Sequence, residues 1–88
     1  MNSTALYEEV VSQLKSLHLK YETHEFDSGA VMLDIWKGDD FYVLQFEGTL
    51  AGISVIRKGE VAAFCTRPDE AYYEAEAFRS RVAELLAL

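Results

Sequence analysis

The sequence predicts an α+β fold: a single two-layer domain over residues 1–88, ordered α-β-β-β-β-β-α, with both helices on one face of a five-stranded antiparallel meander. Three observations predict it. Residues 3–18 and the stretch after Pro68 repeat their apolar side chains every three or four positions. Between Tyr21 and Thr66 the pattern changes to short runs rich in β-branched and aromatic residues. Four breaks, "DSG", "KGDD", "EGTL" and "RKGE", separate those runs, each carries a glycine, and all are too short for parallel crossovers.

The first helix is expected over residues 3–18. Ser3 or Thr4 is placed to cap it, Glu8 and Glu9 lie near the positive end of its dipole, and no glycine interrupts it. Leu6, Val10, Leu14 and Leu17 form one apolar stripe, flanked by Tyr7 and Val11. Five strands follow, about 21–26, 30–37, 40–47, 50–57 and 60–66. "TRPDEAYY" then reads as the end of the sheet and the start of a second helix. Thr66 is its cap, Pro68 suits its first turn, and Asp69 and Glu70 favour its dipole. Ala71, Ala75, Phe78, Val82 and Leu85 form its stripe, and Tyr72 and Tyr73 are expected to cover the end of the sheet.

Turn length fixes which side chains share a face. Two-residue corners at Gly38–Asp39, Gly48–Thr49 and Lys58–Gly59 set Ile35 beside Tyr42, Leu33 beside Leu44 and Val31 beside Phe46. The next strand adds Val55, Ile53 and Ala51, and the last adds Ala62, Phe64 and Thr66. All but Thr66 are apolar, so this is the face the helices cover. A further two-residue corner at Ser28–Gly29 would place Phe26 in that core and Tyr21 on the other side.

The opposite face then carries one row of Tyr21, Trp36, Phe41, Ile56 and Val61. A second row holds Thr23, Asp34, Val43, Ser54 and Ala63, and a third holds Glu25, Met32, Gln45, Gly52 and Cys65. The second and third rows suit water. The first aligns enough large apolar groups, roughly several hundred Å² of them, to mark an interface. Asp34 interrupts an otherwise apolar strand and would need a donor opposite it if a partner buried it.

Fifteen acidic against eight basic residues give a net charge of −7, with eight acids and three bases in residues 1–44 alone. Direct nucleic-acid binding needs clustered cations, and Arg57–Lys58 with Arg79 and Arg81 make a thin patch. No apolar run approaches the ~20 residues of a membrane span. "MNSTALYEEV" has no basic start followed by an apolar stretch, so the expected location is cytoplasmic. The single cysteine, Cys65, excludes an internal disulfide and reads as a small hydrophobe in a strand. His18 and His24 have no further pair of ligands at suitable spacing, so neither a metal nor another cofactor is expected. Phosphate-binding and nucleophile-elbow motifs are missing.

The expectation is therefore a small acidic, non-catalytic protein-interaction module of adaptor, immunity or inhibitor type. It would be homodimeric or bind another protein through Tyr21, Trp36, Phe41, Ile56, Val61 and Asp34. The alternative is a small enzyme or ligand-binding domain using a depression around Gly52, Ser54 and Ala63, with Asp34 and Cys65 as its polar groups.

Overall fold

The computed structural model describes residues 2–56 and 69–87. Helix α1 spans Ser3–Leu17, and α2 spans Ala75–Leu86. Between them lie β1 (Lys20–Glu25), β2 (Val31–Lys37), β3 (Asp40–Glu47), β4 (Leu50–Ile56) and β5 (Glu70–Tyr72), paired antiparallel in chain order. The α+β meander is as the sequence predicts. Among the described residues no helix is long and apolar enough to cross a membrane.

Asn2, rather than Ser3 or Thr4, caps α1, its side-chain oxygen accepting from the Ala5 amide at 3.2 Å. The helix ends in a Schellman turn. His18 takes the left-handed conformation (φ 57°), its amide donates to Lys15, and the Leu19 amide donates back to Leu14. That turn corrects the expected stripe. Leu17 points outward, 38% exposed, and Leu19 takes its place against the core beside Leu14.

The two central hairpins have the expected registers. Lys37 pairs with Asp40 around Gly38–Asp39, and Glu47 pairs with Leu50 around Gly48–Thr49. Gly38 and Gly48 both sit at positive φ, which a two-residue corner requires. Leu33, Ile35, Tyr42, Leu44, Phe46, Ala51 and Ile53 therefore share one buried face, and both helices pack on it through Leu6, Val10, Leu14, Phe78, Val82 and Leu86. Phe46 is the hinge of this packing, meeting Tyr7 edge-on at 5.7 Å and Phe78 at 5.6 Å.

The first hairpin differs from expectation. Its loop is three residues long, Asp27–Ser28–Gly29: the Phe26 amide donates to Ala30, the Gly29 amide donates to Phe26, and Gly29 holds φ 92°. One extra loop residue slips β1 by one position. Tyr21 now faces Ile35 and Thr23 faces Leu33 on the helix side, where the Tyr7 and Thr23 hydroxyls bond at 2.8 Å. Phe26, expected in the core, is 48% exposed. The slip is favoured because it brings Leu19 and Tyr21 inward together, against a single phenyl ring lost.

The chain end of the sheet also differs. The strand expected over 60–66, with its Lys58–Gly59 corner and with Val61, Ala63 and Cys65, lies outside the described residues. Glu70–Tyr72, expected to open the second helix, instead pairs with β4, Ala51 facing Tyr72 and Ile53 facing Glu70. Tyr72 lies across from the smallest residue of the core face and meets Phe78 edge-on at 6.1 Å. Ala71 is accordingly exposed rather than part of a helical stripe. Asp69 fastens the entry: its carboxylate accepts from the Val55 amide and its own amide donates to the Ser54 hydroxyl, both at 3.3 Å.

Ionic contacts tie α2 down. Arg81 forks onto Glu70 at 2.9–3.2 Å, and Arg79 grips Glu9 of α1 through two bonds of 2.9 Å. Arg81 holds the Glu70 carboxyl below its ordinary range, an effect that partial burial opposes and the Tyr72 hydroxyl reinforces. The Leu85 carbonyl, near the negative end of α2, accepts from Lys37 at 3.2 Å and from Tyr42 at 3.4 Å.

Candidate functional site

The face that the helices leave open carries the site, and the slipped register builds it. Tight alternation in β2 and β3 sends Trp36, Asp34 and Met32, then Phe41, Val43 and Gln45, away from the helices. The one-position shift of β1 adds Lys20 opposite Trp36, Glu22 opposite Asp34, and His24 opposite Met32. With two-residue spacing at the first corner, Tyr21, Thr23 and Glu25 would have stood there instead.

Trp36 and Phe41 are cross-strand partners, their rings 5.1 Å apart and inclined at 33°, and both are half-buried. Lys20 lies over the indole with its ammonium 4.8 Å from the ring centre. Ile56 continues the row beside Phe41, also half-buried. Tyr21 does not belong to it, since the register turns that side chain to the margin of the core. Val61 lies outside the described residues.

The middle of this face is not the wetted surface expected from its rows. Met32, Asp34 and Val43 are only 7%, 4% and 4% exposed. For Asp34 the reason is visible: the His24 ring, reaching diagonally from β1, places Nε2 2.9 Å from Oδ2. The donor that a buried Asp34 needs is thus supplied within the chain. His24 also lies 4.0 Å from a Glu22 carboxylate oxygen. Its partner bond satisfies one oxygen of Asp34, while Oδ1 is buried with no hydrogen-bond partner among the described residues.

An open groove of about 840 Å³ runs along this side, lined by Glu22, Thr23, His24, Glu25, Phe26, Met32, Asp34, Trp36 and Phe41. Trp36 and Phe41 stand at one end and Phe26 at the other, with Glu22, His24, Glu25 and Asp34 between them. The depression expected farther along the sheet is arranged differently: Gly52 is buried opposite Ala71, and the Ser54 hydroxyl is bonded to the Asp69 amide. Ala63 and Cys65 lie outside the described residues.

Sequence reasoning placed Trp36, Phe41, Ile56 and Asp34 together on the open face, and they are there. It missed Glu22, His24 and Phe26. The glycine ending "DSG" suits a two-residue or a three-residue loop alike, and the choice between them is made by the burial of Leu19 and Tyr21. Comparison of the chain with protein-family models, with curated proteins and with solved structures finds no match.

Proposed function

We propose that this protein is a non-catalytic interaction module whose open-face groove receives a basic, apolar segment of another protein. The Trp36–Phe41 pair carries the reading: two large rings side by side across strands, half-exposed, on the face opposite α1 and α2. Rings of this kind bury much area at small entropic cost and act as interface anchors. Phe26, 48% exposed at the other end of the groove, adds a second apolar contact.

Charge selects the partner. Glu22, Glu25 and Asp34 line the same groove in a chain of net charge −7. A segment carrying Lys or Arg beside Leu or an aromatic would meet carboxylates and rings together, and electrostatic attraction would speed its encounter. A second copy of the chain would bring the same negative rim to the same surface, which disfavours the symmetric dimer on this face.

Trp36 is the single tryptophan, so its fluorescence reports the groove directly. Titration with an amphipathic peptide alternating Lys and Leu should shift that emission and move the Trp36 indole N–H resonance. Its Glu-for-Lys counterpart should do neither. Phe41→Ala should weaken the Lys–Leu peptide at least tenfold with the fold intact, and added salt should weaken it too. Light scattering on wild type and Trp36→Ala separates the occupants. A dimer that Trp36→Ala dissolves would replace the foreign partner with a second copy, and equal response to both peptides would remove the basic-partner reading.

A further inference from the structure

Two of the carboxylates that line the groove stand beside an imidazole, which gives that part of it a second chemistry. Glu22 and His24 alternate onto the same side of β1, and Asp34 lies directly across from Glu22 on β2. One donor atom from each, a carboxylate oxygen, an imidazole nitrogen and a second carboxylate oxygen, falls within 4.8 Å of the others. The backbone therefore holds three ligand-bearing residues in a triangle without help from any loop.

Asp34 supplies a second, independent observation. Its side chain is 5% exposed, yet Oδ1 has no hydrogen-bond partner among the described residues. A buried carboxylate oxygen left bare is destabilising, so a cation beside it would relieve a cost the fold otherwise carries. His24 and Glu22, at 48% and 58% exposure, leave the approach from solvent open.

We infer that Glu22, His24 and Asp34 form a binding site for a divalent first-row transition ion of the zinc class, with its remaining coordination positions facing the groove.

The distances suit it. Protein ligands to zinc sit about 2.0–2.2 Å from the ion, which separates neighbouring donors by about 3–3.5 Å. His24 Nε2 and Asp34 Oδ2, at 2.9 Å, are near that spacing already. Glu22, 4.0 Å from the imidazole in a triangle whose donors lie within 4.8 Å of one another, has to close by about 1–1.5 Å, within the reach of an exposed and flexible side chain. The ion would take the place of the hydrogen bond between Nε2 and Oδ2, and Oδ1 would be the second oxygen of the same carboxylate available to it. Mixed imidazole and carboxylate donors favour zinc-class ions over magnesium or calcium, which prefer oxygen alone. Three protein ligands on an open groove give an exchangeable site, not a closed structural one.

The chain has two histidines, which makes the test specific. Purified full-length protein stripped with EDTA is titrated with ZnCl2, and uptake is followed by calorimetry and by the imidazole resonances. The expected result is one equivalent per chain, with His24 shifting and His18 unchanged. His24→Gln, Asp34→Asn and Glu22→Gln should each weaken zinc at least ~10-fold, whereas Cys65→Ala and excess MgCl2 should not. Circular dichroism confirms that each variant is folded; Glu22→Gln, at an exposed position, keeps the test decisive if the other two unfold. No zinc uptake by the wild type, uptake unchanged in Glu22→Gln, or uptake that follows Cys65 instead would each overturn the assignment. The Trp36–Phe41 end of the groove is not involved, so Phe41→Ala should bind zinc normally even where it loses the peptide.

Discussion

The His24–Asp34 pair should respond with opposite sign to removal of its two members. Asp34 is 95% buried by its side chain and His24 about half exposed, since the two side chains are 5% and 48% accessible. Replacing Asp34 with valine removes a carboxylate whose Oδ1 has no partner among the described residues, worth about 1–3 kcal/mol, and puts a strand-favouring side chain next to buried Val43 and Met32. The imidazole left behind turns to water, so no stranded charge remains. Asp34→Val should stabilise by about 1–2 kcal/mol, within the range seen when buried ion pairs give way to apolar groups. His24→Ala does the reverse. It leaves both oxygens of a buried carboxylate without a donor and should destabilise by about 2–3 kcal/mol. Urea unfolding in EDTA measures both. With a slope of about 1 kcal/mol per molar for a domain this small, the two midpoints should lie several molar apart, on either side of wild type. His24→Ala on the Asp34→Val background should then change stability by less than about 0.5 kcal/mol. An Asp34→Val protein less stable than wild type, or a neutral His24→Ala, would refute the reasoning, because either would mean that the pair is solvated like a surface contact.

Three further outcomes follow from the core and its ends. Phe78→Ala, at a fully buried ring shared by Phe46 and Tyr72, should cost about 3–5 kcal/mol by urea unfolding, a large fraction of what a domain of this size holds. His18→Gly should raise stability by about 0.5–1 kcal/mol, since φ 57° strains any residue with a Cβ; a loss would mean that the His18 side chain has a role in the turn. The Glu70 carboxyl is held below its ordinary value of 4.5 by Arg81, so the pair's stabilisation is complete above that value and fades as pH falls through the lower folded one. Arg81→Met should thus be less stable than wild type at pH 7, and the gap should close below about pH 4.5 in acid-titrated melting curves.

Two hairpins were legible from sequence because only one of their faces is apolar throughout. Leu33, Ile35, Tyr42, Leu44 and Ile53 alternate with Asp34, Gln45 and Ser54, and a slip of one residue would send every member of the first set to the wrong side. The first strand offered no such contrast. "KYETHE" holds one large apolar residue, so its register rests on the turn and on Leu19, which belongs to the end of a helix. The same weakness hid β5: "PDEA" carries proline and acids that suit a helix start, and three residues are too few for period to outvote them. Local signals fail where the deciding contact is distant, here the pairing of Tyr72 with Ala51 and of Glu70 with Ile53 on β4.

That failure and the site have one origin. The turn that draws Leu19 and Tyr21 into the core is the turn that sends Glu22 and His24 to the Asp34 side; neither happens without the other. Core packing therefore sets the ligand triangle, and side-chain choice on β1 and β2 is free to fill it. A stable sheet would fill the Asp34 position with a β-branched residue, as the neighbouring Val43 position is filled. A carboxylate stands there instead, bonded on one oxygen by His24 and without a partner among the described residues on the other. Departures of this kind from the locally best residue concentrate where a structure has work beyond holding itself together. The position of the departure matters as much as its existence. Asp34 lines a groove opened by a half-exposed aromatic pair, so a ligand arriving for the rings meets the carboxylates in the same approach.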